Sequence, residues 1–62
     1  MRLLVCYLLV DVDTRQIVRG CSRVVHVYDR EWSDIMASVW SNLNGLHEED
    51  VAITSVLPLT TL

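Results

Sequence analysis

The sequence predicts a small α+β domain of β-β-α-β order, with a three-stranded sheet in the order 2-1-3 and one amphipathic helix on one face. Three observations predict it. The 62-residue chain opens on a long apolar, β-branched run, a helical repeat of apolar residues begins after Asp29, and a second short β-rich run follows an acidic loop. At 7.1 kDa there is room for one core and none for a linker to a second, so residues 1–62 are read as one domain.

The first strand is expected over residues 2–12 (RLLVCYLLVDV), which hold Val, Leu, Tyr and Cys without a helix cap or a breaker. Both alternating sets are apolar: Leu3, Val5, Tyr7 and Leu9 on one face, Leu4, Cys6, Leu8 and Val10 on the other. Such a strand belongs in the middle of a sheet, covered on both sides. Asp13-Thr14-Arg15-Gln16 then supplies a turn, with Asp at its first position to bond the N–H groups ahead. A second strand over 16–28 (QIVRGCSRVVHVY) is more polar, as suits an edge, and Gly20 in its middle suggests a bulge that separates two registers.

The helix is expected over residues 30–43. Asp29 is a competent N-cap and Glu31 suits the positive end of the helix dipole. Trp32, Ile35, Met36, Val39, Trp40 and Leu43 make a single stripe at helical spacing. Gly45 is placed to end the helix in a left-handed conformation, with Leu46 folding back on the last turn. The far face holds short residues, including a ridge of Ser33, Ala37 and Ser41 that reads as water-facing. Residues 51–57 (VAITSVL) form the third strand, which Pro58 is expected to end. Because the helix crosses between the second and third strands, those two run parallel and the first lies between them.

One helix covers one face of such a sheet, so the row Leu4, Cys6, Leu8, Val10 needs another lid. A second copy of the chain is the simplest, through face-to-face sheet packing or pairing at an edge strand, and the expected assembly is a homodimer. The energetics agree. Folding buries roughly 6,000 Å², and about 60% apolar content at about 25 cal/mol/Å² yields roughly 90 kcal/mol. Ordering the chain at about 1.5 kcal/mol per residue costs nearly the same, so a lone chain sits near zero. Two Cys without CxxC or zinc-site spacing read as small buried side chains and leave association as the missing stabiliser. The apolar tail Leu59-Thr60-Thr61-Leu62 is expected to dock as well.

Composition excludes several classes. Two Gly and one Pro rule out a linker or low-complexity tract, and 52% hydrophobic content at net charge −3 rules out disorder. The longest apolar run, Leu3 to Val10, is too short to span a membrane, and Asp11 and Asp13 interrupt any signal-peptide reading, so a cytoplasmic protein without membrane contact is expected. There is no Gly-rich phosphate loop, HExxH, GxSxG or zinc spacing, so neither an enzyme nor a cofactor or metal is expected. His47-Glu48-Glu49-Asp50 reads as a solvated acidic loop.

Charge is unevenly placed. Residues 1–28 carry +2, from four Arg and two Asp, and residues 29–50 carry −5, from six acids and Arg30. Arg15, Arg19 and Arg23 recur every fourth residue, a spacing that aligns them on one strand face if the register is unbroken, where their planar forks suit phosphates or carboxylates. The plainer reading is an edge strand protected by charge. Nucleic acid is not the expected partner of a chain with pI near 5.0. Glu31 and Asp34, with Asp29 and the acids of the loop, offer an acidic surface that could occupy a basic groove of a protein.

These features lead to a non-catalytic interaction module of the regulator or inhibitor type, a homo-oligomer that holds or blocks another macromolecule, as small proteins of phages and mobile elements often do. The partner's identity is not written in the sequence. The runner-up is an oligomer that binds a small anionic ligand through Arg19 or Arg23. An enzyme built on Cys21 and His26 is a distant third.

Overall fold

The computed structural model describes residues 1–59, arranged as β1 (Arg2–Val10), β2 (Ile17–His26), α1 (Trp32–Asn44) and β3 (Asp50–Leu59). The expected docking of the tail falls on residues 60–62, outside the described residues. The sheet order is β2-β1-β3, and β1 is antiparallel to both neighbours, so β2 and β3 run parallel as the crossover requires. The chain is a small α+β domain of the expected order.

Period-two burial runs the length of β1. Leu3, Val5, Tyr7 and Leu9 are buried under the helix, and Leu4, Cys6, Leu8 and Val10 are half-buried on the opposite face. Ile35, Val39 and Leu43 of α1 close the core with Val25, Val27 and Val51. The outer members of the expected stripe stay wet: Trp32 is 53% and Trp40 40% exposed. Three strands about 4.8 Å apart are scarcely wider than one helix, so little sheet lies opposite the two indoles. The helix backbone comes closest to β3.

Several local expectations are corrected. The reversal begins at Asp11, not at Asp13: the Asp11 carboxylate accepts the N–H groups of Asp13 (2.8 Å) and Thr14 (2.9 Å). The Arg15 N–H bonds the Asp11 carbonyl, and Arg15 closes the loop in the left-handed region at φ 61°. β1 therefore ends at Val10, short of Val12. In β2 the extra residue is Val18, between the pairs Leu9/Arg19 and Val10/Ile17, and Gly20 lies in regular register opposite Leu8. A Cβ on Gly20 would meet Leu8 Cδ2 at 3.6 Å, an ordinary contact, so nothing there demands glycine or a bulge.

Asp29 does not cap the helix. It accepts a bond from Ser38 Oγ at 2.8 Å, and α1 starts later behind an extended Glu31 whose side chain makes no cap bond. Gly45 is right-handed (φ −73°), because the chain winds on through a tighter last turn, with the Leu46 N–H on the Leu43 carbonyl at 3.1 Å. Leu46 remains exposed. Pro58 does not end β3. It pairs opposite Leu3 within the strand, which an edge position permits because the missing N–H can face outward. β3 has its own bulge, with Thr54 between the pairs Cys6/Ser55 and Tyr7/Ile53 and its hydroxyl on the Cys6 carbonyl at 3.0 Å.

The turn carries a pH signature. Its backbone bonds from Thr14 and Asp13, opposed by a smaller burial effect, lower the pKa of Asp11 from the ordinary value. A carboxylate depressed in the folded state stabilises above its unfolded pKa, and this is lost as pH falls through the folded value. Urea midpoints of the wild type and Asp11→Asn are therefore expected to converge as pH drops from about 5 to about 3. A gap that stays constant over this range would contradict the role given to the ionised Asp11.

Candidate functional site: the open sheet face and the β2 edge

Residues directly opposite in an antiparallel pair share a face. On the face away from α1, Leu4 lies between Val24 and Leu57, Cys6 between Ser22 and Ser55, Leu8 between Gly20 and Ala52, and Val10 between Ile17 and Asp50. Among the described residues no element lies over this face. The half-burial of Leu4, Cys6, Leu8 and Val10 is sideways, from neighbouring strands, while Val24, Leu57 and Ile17 are 44%, 53% and 63% exposed. Ile17, Val24 and Leu57 extend the patch and were missed in the sequence, where only the pairing register could have assigned them to it.

The arginine row is divided. Arg19 opposes Leu9 and Arg23 opposes Val5, which places both on the helix side of β2, exposed and four residues apart. Arg15 stands outside the strand in the turn and reaches Asp50 Oδ2 at 3.0 Å, tying the first hairpin to the start of β3. This exposed pair is worth little in energy. Glu31 and Asp34 are exposed at the start of α1, and no ion pair joins them to Arg19 or Arg23 among the described residues.

The residues of the enzymatic alternative are kept apart. Cys21 opposes Tyr7 on the helix side and His26 opposes Arg2 on the open side, so no thiolate–imidazole pair forms between them. Both cysteines are free, and among the described residues no group of three or more His, Cys, Asp or Glu is placed to hold a metal. No helix among the described residues is long and apolar enough to cross a membrane.

His47 has a partner that sequence spacing could not reveal, because the two residues are far apart in the chain. The hydroxyl of buried Tyr7 lies 2.9 Å from His47 Nε2, with ring centroids 5.5 Å apart. The bond satisfies the one polar atom that Tyr7 brings under the helix and pins the acidic loop to the sheet. His47→Ala, which strands that hydroxyl, is expected to cost about 1–2 kcal/mol, more than Tyr7→Phe, which removes it. Urea denaturation of both variants checks the order, and the reverse order would refute it.

Comparison with protein families, with curated proteins and with solved structures finds no match for this chain.

Proposed function

We propose that the protein is a non-catalytic interaction module of the regulator or inhibitor type, which works as a homodimer and holds or blocks another macromolecule. The observation that carries this reading is the uncovered apolar face built on Leu4, Cys6, Leu8 and Val10 and widened by Ile17, Val24 and Leu57. A contiguous patch of this kind marks an interaction surface. Two such faces can pack about 10 Å apart around a twofold axis, each filling the layer the other lacks.

Charge favours one alignment. Arg2 stands at one end of the face and Asp50, already paired with Arg15, at the other. A twofold axis lying across the strands sets the Arg2 end of each copy over the Asp50 end of its partner, whereas an axis along the strands stacks like on like. Light scattering at micromolar concentration is expected to return twice the 7.1 kDa chain mass. A folded particle of single-chain mass would overturn the dimer.

A second reading, a small anion held at Arg19 or Arg23, is favoured by the exposure of both guanidiniums on one side of β2. A thermal shift with simple anions that disappears in Arg19→Ala or Arg23→Ala would support it.

A further inference from the structure

The two outer edges of the sheet are built differently. Along β3 the ladder is broken by the Thr54 bulge and Pro58 lacks an N–H, two devices that spoil an edge for further pairing. In β2 the irregularity is confined to Val18, near the start. From Arg19 to His26 the strand pairs with β1 residue for residue and, among the described residues, with no other strand, so its outer edge is regular and open.

That edge is chemically biased. Ile17–His26 contains Arg19, Arg23 and His26 and no acid. The two arginines share the helix side about 13 Å apart, with half-buried Cys21 between them. Beside Arg23, the strand and the end of α1 bound an open groove of about 280 Å³ lined by Arg23, Val25, His26, Asn42 and Leu46 among others. A second copy in the register centred on Cys21 is disfavoured, because antiparallel pairing of two β2 strands there sets Arg19 directly opposite the partner's Arg23, like against like.

We propose that the β2 edge from Arg19 to His26 takes up an extended acidic segment of another protein by strand addition. Two carboxylates four residues apart on that segment meet Arg19 and Arg23, and an apolar side chain beyond the second enters the groove next to Arg23. Backbone bonds along the edge hold any extended chain, and the guanidinium forks select for acids. This names the partner chemistry of the module proposed above; it rests on that reading but does not require the face-to-face dimer. A polyphosphate is disfavoured because it has no peptide N–H and C=O groups to pair with the edge.

The test is an anisotropy titration with a labelled, end-blocked peptide of alternating threonine and valine carrying glutamate at two threonine positions four apart and valine at the next threonine position outside each glutamate, so that an apolar side chain on the glutamate face reaches the groove. Saturable binding is expected, at least about tenfold tighter than for the lysine counterpart and weakened at least about tenfold in Arg19→Glu/Arg23→Glu. N-methylation of alternate peptide nitrogens, in one or other phase, should abolish it on the unaltered protein by removing the strand pairing. Equal binding of the glutamate and lysine peptides, full binding of both N-methylated phases, or tighter binding of a single-stranded oligonucleotide would each overturn the proposal. Leu57→Asp, on the open face, separates the two readings. Peptide binding retained by a single-chain Leu57→Asp shows that the edge works without the face-to-face pairing; peptide binding by a wild-type particle of single-chain mass retains the edge and rejects the dimer, whereas a wild-type dimer that ignores the peptide rejects the edge alone.

Discussion

If the proposed dimer forms, Leu8→Asp is expected to abolish it, leaving a single-chain particle at micromolar concentration. Leu8 lies in the central row of the open face, between Gly20 and Ala52, where no side chain from α1 reaches. In the proposed dimer each copy loses a buried leucine worth about 1.5–3 kcal/mol and gains a carboxylate without a partner. Symmetry doubles the loss, so the dissociation constant rises about a thousandfold or more. Leu57→Asp should act in the same direction at little cost to the subunit, because Leu57 is already 53% exposed. Ser41→Asp, on the exposed side of α1, should leave the mass unchanged. Sedimentation velocity over a concentration series reads all three. An unchanged mass for both open-face variants would end the case for this face as the interface.

The second large effect is expected at Ile35. It is 1% exposed, at the centre of the stripe that meets Leu3, Val5, Tyr7 and Leu9, and its truncation leaves a hole with few neighbours able to collapse into it. Ile35→Ala is expected to cost about 2–5 kcal/mol, comparable to the whole stability of a domain this small. Circular dichroism should show no cooperative melt for Ile35→Ala at low concentration, while Ser41→Ala stays within about 0.5 kcal/mol of the wild type. Folding coupled to dimerisation also predicts a wild-type melting temperature that rises with concentration. An Ile35→Ala melting temperature equal to that of the wild type would contradict the place given to Ile35 in the core.

The open face could be read early because β1 is apolar at both phases of a period-two pattern while the chain offers a single amphipathic helix. No long-range information is needed for that comparison: one covering layer cannot serve two faces. Capping and bulging were less legible. Asp29 and Asp13 have the chemistry of caps, yet Ser38 takes the first and Asp11 outcompetes the second, because what matters is which N–H groups lie within reach once the chain has turned. Gly20 looks like a bulge in one dimension, but the shift falls at Val18, where β2 must match β1 at the mouth of the hairpin. Pro58 looks like a stop and is tolerated because β3 lies at an edge.

The candidate site divides in the same way. Their every-fourth-residue spacing marks Arg15, Arg19 and Arg23 as a row, but the turn withdraws Arg15 to Asp50 and leaves two on the strand. The Tyr7–His47 bond, the enlargement of the apolar patch by Ile17, Val24 and Leu57, and the contrast between a regular β2 edge and a broken β3 edge all depend on register. The amino-acid order by itself determined the element types, the 2-1-3 sheet and the shortage of cover on one side, since hydrophobic periodicity is a local property read over a few residues. Only the tertiary structure decided which side chains share a face and which backbone edge stays open, because strand pairing joins residues distant in sequence and a one-residue slip moves every side chain to the other side of the sheet.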